Sequence, residues 1–169
     1  MVFGQAFQSG NEAAGNCLHP VVSAGEAAVG TTGAASGTLT GIIRNGNTSP
    51  AGLIKTGAGR LNLNAANTYN GGTTLQEGTL QLGNVSGLGA SVGTLTVNSG
   101  LLNLNNMAAV TVGNLTGTGG TIANNGALNL DGTRARVTGA VTGAGVVNVN
   151  GTFTSENTFT ASAFNVNGG

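Results

Sequence analysis

Five carboxylates, Glu12, Glu26, Glu77, Asp131 and Glu156, make up the whole acidic complement of this 169-residue chain. General acid–base cleavage of a glycoside would need two of them about 5–9.5 Å apart. Glu77 and Glu156 are 79 residues apart in sequence, some four coils of a repeating fold and so roughly 19 Å along it, too far to act together. Asp131 and Glu156, separated by 25 residues, are the pair that neighbouring coils can bring close, with Arg134 and Arg136 on one face of the strand between them. These four form the candidate ligand-binding cluster, suited to an acidic or neutral glycan, with polysaccharide cleavage as the enzymatic alternative. Charges of this kind also serve simply as solvated groups that discourage edge pairing, and the balance of the sequence favours that role and a non-enzymatic chain.

Other chemistry is thinly provided. Cys17-Leu18-His19 joins the single cysteine to the single histidine, which is too few ligands for a tetrahedral metal site and offers no residue to orient a cysteine nucleophile. The glycine-rich turns Gly57-Ala58-Gly59, Gly117-Thr118-Gly119-Gly120 and Gly143-Ala144-Gly145 lack the Gly-Lys-Ser/Thr ending of a phosphate loop. One aspartate cannot furnish the repeated ligands of a calcium-binding roll. No cofactor is expected.

Composition bounds the partners. Charged residues are 6% of the chain, net charge is zero and no charge falls between Glu77 and Asp131, so nothing steers nucleic acid. That stretch is rich in Asn, Thr and Gly, which rules out an apolar membrane-spanning helix, and 4% aromatic content with no Trp argues against a barrel with aromatic girdles; no membrane insertion is expected. Thirty-two glycines without a three-residue period and only two prolines exclude collagen, and 39% hydrophobic residues argue against disorder.

The elements that must position any site are short strands. Gly59-Arg60-Leu61-Asn62-Leu63, Gly78-Thr79-Leu80-Gln81-Leu82, Gly93-Thr94-Leu95-Thr96-Val97, Gly100-Leu101-Leu102-Asn103-Leu104, Gly126-Ala127-Leu128-Asn129-Leu130 and Gly145-Val146-Val147-Asn148-Val149 share one pattern. Apolar residues alternate with polar ones after a glycine turn, so each run buries one face. Gly59 to Gly78 and Gly126 to Gly145 are each 19 residues, which suits coils of roughly 20. A single coil cannot bury its apolar face; stacked coils can. The prediction is an all-β parallel β-helix (β-solenoid) of about six or seven coils over residues 37–169, preceded by an irregular leader or cap over residues 1–36.

Residues 52–83 carry a more specific signature: Gly52-Leu53-Ile54-Lys55, Gly57-Ala58-Gly59, Leu61 and Leu63, Asn67-Thr68-Tyr69, Gly71-Gly72-Thr73-Thr74 and Gly78-Thr79-Leu80. In order and spacing this resembles the autotransporter-associated β-strand repeat of Gram-negative passenger domains. The resemblance implies a right-handed parallel β-helix exported to the cell surface or beyond, in a precursor with a signal peptide and a C-terminal translocator barrel in the outer membrane. This sequence holds neither, so a fragment of a passenger is expected. Glycines 57, 59, 71, 72 and 78 are read as tight corners, and Tyr69 as closing a corner with its hydroxyl reaching solvent.

The outward polar residues complete the reading. Asn62 and Asn64, Asn103 and Asn105, Asn148 and Asn150, and Asn165 and Asn167 are placed to form ladders that satisfy one another. Thr38 and Thr40, Thr94 and Thr96, Thr152 and Thr154, and Thr158 and Thr160 resemble the arrays of ice-binding solenoids, but their spacing is irregular. Such a face acts as a water-compatible wall or as an adhesive surface for a host glycan or protein. The unit Phe164-Asn165-Val166-Asn167-Gly168-Gly169 has no capping segment after it, so self-association through uncapped coil ends is a further expectation. The functions expected are a structural stalk or adhesin of the cell surface, with the enzyme and the self-assembling fibre as alternatives.

Overall fold

Runs as short as Leu61-Asn62-Leu63 pack only if equivalent runs lie above and below, and stacking is what the structure shows. The structure, a computed structural model, describes residues 36–46 and 50–167 and, before them, the strands Phe7–Ser9, Cys17–Leu18 and Glu26–Thr31. Every regular element among the described residues is a strand, and every strand pairing is parallel.

Three sheets form the sides. The first comprises β1 (Phe7–Ser9), β3 (Glu26–Thr31), β5 (Gly52–Thr56), β7 (Thr73–Leu75), β9 (Leu95–Val97), β12 (Leu115–Thr116), β15 (Arg134–Val137) and β18 (Thr152–Ser155). The second runs from β2 (Cys17–Leu18) through β4 (Gly37–Leu39), β6 (Arg60–Leu63), β8 (Thr79–Leu82), β10 (Leu101–Asn103) and β13 (Thr121–Ala123) to β16 (Ala140–Thr142). The third holds β11 (Val110–Val112), β14 (Ala127–Leu130), β17 (Val146–Val149) and β19 (Ala163–Val166). From β9 onward the chain visits the three sides in turn, giving a parallel β-solenoid of about six turns after residue 50.

Register explains the core. Leu53, Thr73, Leu95, Leu115, Ala135 and Phe153 stand in one inward column, their successive spacings between 18 and 22 residues. Leu61, Leu80, Leu102, Ile122 and Val141 make a second, and Val110, Leu128, Val147 and Phe164 a third. All but Thr73, Phe153 and Phe164 are buried hydrophobics. Packing is tight: the space between Val97, Leu115, Ile122 and Val137 is about 10 Å³, at the lower limit for a single water. In the last coil the inward residue on each side is aromatic, and Phe153, Phe159 and Phe164 meet with ring centroids 4.8–5.4 Å apart.

Each of the six glycine-led runs contains a strand, but they are distributed over all three sides: β6, β8 and β10 on the second, β9 on the first, β14 and β17 on the third. Within residues 1–36 the described strands β1, β2 and β3 align on β3, β4 and β5, while Glu12 and His19 lie outside the described residues.

Tyr69 corrects the sequence expectation. Its side chain is fully buried rather than reaching solvent. Its hydroxyl meets Thr73 Oγ1 at 2.6 Å, and because the Thr73 hydroxyl donates to the Leu88 carbonyl at 3.1 Å, Tyr69 is the donor of the pair. The inward threonine in the leucine column thus exists to receive this phenol.

Candidate functional site

The third side changes character along the chain. Through residues 64–72 and 83–94 it is made of turns and loops, and β11 is its first strand. In the loop region the Asn67 side chain adds to backbone bonds such as Thr68 N to Ile43 O (2.9 Å) and Asn67 N to Ser86 O (3.0 Å). The Asn67 side-chain carbonyl accepts from Ile43 N at 2.9 Å in the preceding coil, and its amide donates to Gly87 O at 2.7 Å in the following one. One buried carboxamide therefore helps fasten three coils at a place without a strand ladder.

Lys55 is the other inward polar residue of this region. Strand alternation puts it on the same face as Leu53, and its register partner is Leu75, so its four-carbon stem lies in the core. Its Nζ donates to the carbonyls of Thr56 (2.7 Å), Gly57 (2.5 Å) and Glu77 (3.2 Å), collecting the corners of two successive coils. Sequence reading named Lys55 and Asn67 as motif residues without seeing these roles. For Lys55 the alternation Leu53-Ile54-Lys55 already held the signal.

Burial makes this region respond to alkali. Desolvation lowers the Lys55 pKa from its ordinary 10.5, with the nearby Glu77 acting in the opposite sense. The unfolded chain then binds more protons below pH 10.5, so this residue makes stability rise as pH climbs towards that value. Tyr69 acts oppositely: burial raises its pKa well above 10, more than the Thr73 hydrogen bond lowers it, so above pH 10 the unfolded state loses a proton the native state keeps, and stability falls. These are the only Lys and the only Tyr in the chain. The urea midpoint followed from pH 7 to 11 should pass through a maximum near pH 10; Lys55→Met should flatten the rise and Tyr69→Phe the fall.

The candidate cluster is divided by the structure. Arg136 and Glu156 form an ion pair, Nη2 to Oε1 2.6 Å and Nε to Oε1 3.0 Å, on the outer face of the first sheet. Both side chains are about half exposed, so the pair contributes about 0–1 kcal/mol. Arg134, exposed on the same strand, is anchored through its backbone N to Asn114 Oδ1 at 3.1 Å. Asp131 belongs elsewhere: it precedes β15, whereas Glu156 follows β18 beside the far end of β15, so the length of that strand, roughly 13 Å, separates them. Asp131 instead accepts from Asn150 Nδ2 at 2.6 Å. The two carboxylates do not have the spacing of a glycosidase pair.

That Asp131–Asn150 bond belongs to the most regular feature of the surface. On the outer face of the third sheet Asn165 donates to Asn148 (2.8 Å), Asn148 to Asn129 (2.7 Å) and Asn129 to Thr111 Oγ1 (3.2 Å). Beside this column Asn167 donates to Asn150 (3.2 Å) and Asn150 to Asp131. The expected pairs at 148, 150, 165 and 167 thus stack as two adjacent ladders. On the second sheet Asn62 donates to Thr38 Oγ1 (3.2 Å), and a guanidinium–amide bond joins Arg60 to Gln81 (3.3 Å). Threonines stack chiefly as Thr74, Thr96 and Thr116 on the first sheet. Among the described residues no three of His, Cys, Asp and Glu are grouped to hold a metal ion, and no helix is long and apolar enough to cross a membrane.

A solenoid with a polar exterior is thus in place, and residues 53–82 match the family described as passenger-associated-transport-repeat. Over 66 residues, 39% of this chain and 2% of the relative, the sequence is 41% identical to the adhesin BmaC autotransporter of Brucella suis biovar 1 (strain 1330). The chain therefore corresponds to a very small share of that curated relative's length. No solved structure matches. Residues 53–82 thus carry an autotransporter passenger repeat within a parallel β-solenoid.

Proposed function

We propose that this chain is a rod-forming segment of an autotransporter-type passenger at the bacterial cell surface, acting as a structural stalk without catalytic activity. The stacked asparagine ladders carry this reading: they join successive coils on the outside as the leucine columns join them within. A polar wall of this kind keeps a long solenoid soluble without the charge that drives coils apart. Adhesion by the same face, to a host-surface glycan or protein, is the second reading, and it is favoured by the adhesin name of the BmaC relative.

Protease treatment of intact cells that express the native gene is the test of place. Removal of an epitope raised against residues 53–82, with periplasmic markers intact, is the expected result; a protected epitope overturns the proposal. Stalk and adhesin separate on the triple variant Asn129→Ser, Asn148→Ser, Asn165→Ser. Undiminished attachment of cells displaying the variant at normal level supports the stalk, and a loss of tenfold or more supports the adhesin.

A further inference from the structure

The outer face of the second sheet holds a concavity separate from the asparagine ladders. β6 and β8 lie side by side with Asn62 opposite Gln81 and Leu63 opposite Leu82, and Asn64 and Asn105 flank them from the corners of neighbouring coils. Asn62, Asn64, Gln81 and Asn105 with Arg60 line a groove of about 220 Å³. This is smaller than the ~300–1,000 Å³ typical of pockets for drug-sized ligands, and suits a single sugar ring.

We propose that this groove binds an acidic sugar unit of a glycan chain, its carboxylate on Arg60 and its hydroxyls on the surrounding carboxamides. Arg60 is the only charged residue of the groove. Among the described residues no carboxylate pairs with Arg60. Its guanidinium has five N–H donors, and its hydrogen bond, Nη1 to Gln81 Oε1 at 3.3 Å, holds the group over the groove with the rest of the planar fork available. That fork matches a carboxylate in two-point geometry.

The amides supply the second half of the recognition. Each has two donor hydrogens and two acceptor positions. Asn62 uses one hydrogen on Thr38 Oγ1 (3.2 Å), and Asn105 uses one on the Leu82 carbonyl. The remainder can meet sugar hydroxyls, which donate and accept at once. Asn105 is fixed in place with particular care: it is the one non-glycine with a left-handed backbone among the described residues, at φ 52°, and its own N–H is held by Asn103 Oδ1 at 2.9 Å. Leu82 and Gly83 complete the lining of the groove.

This site stands apart from the stalk face, so its failure leaves the proposed function as it was. The full chain would be titrated with a tetrasaccharide of alternating glucuronate and N-acetylglucosamine, following amide resonances by NMR, alongside the same tetrasaccharide with its carboxyl groups reduced to alcohols. Expected are shifts confined to residues around Arg60, a loss of affinity of at least tenfold on carboxyl reduction, and the same loss in Arg60→Ala, whose fold is checked by its unaltered remaining spectrum. Arg60→Lys keeps the charge but loses the fork and should fall between. Arg136→Ala should bind as the parent does. Equal affinity for the reduced sugar, undiminished binding by Arg60→Ala, or no shift at millimolar tetrasaccharide would each overturn the proposal.

Discussion

Gly78→Ala is expected to destabilise the fold by about 2–6 kcal/mol, combining the strain of a left-handed backbone with overpacking. Gly78 has φ +74°, and a Cβ there would stand 2.3 Å from the Gly57 carbonyl oxygen, 2.5 Å from that of Gly59 and 2.8 Å from the Ala58 carbonyl carbon. All three are backbone atoms of the preceding corner, so no side chain can swing aside. The Gly57 carbonyl is also an acceptor for Lys55 Nζ, and displacing it loosens the buried ammonium. Gly119→Ala is the control: the one nearby atom it meets is the Asn98 carbonyl oxygen at 3.1 Å, so its cost should stay below about 1 kcal/mol. Urea denaturation of both variants measures the difference, and a Gly78→Ala midpoint equal to that of Gly119→Ala would remove the corner-packing account.

Tyr69→Ala should cost about 3–5 kcal/mol, the usual range for deleting a large buried aromatic side chain. The ring is wholly enclosed, and its removal opens a cavity beneath Leu88 and beside Thr73. Tyr69→Phe keeps the ring and removes one hydrogen bond, so about 1 kcal/mol is expected. Thr73 retains its donation to Leu88 O in that variant, which is why the smaller change is mild. The ratio of the two effects is informative: similar losses would mean that the hydroxyl, not the ring, organises this corner.

Strands were legible from alternation because burying one face needs nothing more than local order. The six glycine-led runs hold strands for that reason, yet nothing in Gly-x-Leu-x-Leu says which of three sides a run will occupy, since all sides face the same core. The position of a coil's third side depends on corner lengths, and here a strand is replaced by turns over residues 83–94. Tyr69 was misread because aromatic residues beside Asn and Gly usually sit at the wet edge of a turn, and its partner Thr73 resembles an ordinary strand residue. Charge was misleading in another way. Asp131 and Glu156 are 25 residues apart, which suggests adjacent coils, but a coil has length as well as height, and they lie at opposite ends of a strand. The ladder at 148, 150, 165 and 167 was readable because equal spacing in sequence becomes vertical stacking whenever coils are of nearly equal length.

The direction of stacking has a mechanical consequence. Hydrogen bonds between coils run along the rod, while the chain within each coil runs across it. Tension applied along the rod therefore loads the bonds of one coil boundary at a time instead of sharing the load among many bonds in shear. Such a rod should lengthen by peeling, each coil of 18–22 residues releasing roughly 60–80 Å of chain before the next yields. Where side chains also tie successive coils, through Asn67 and Lys55 in the passenger repeat and through the asparagine ladders beyond it, the peeling front should pause.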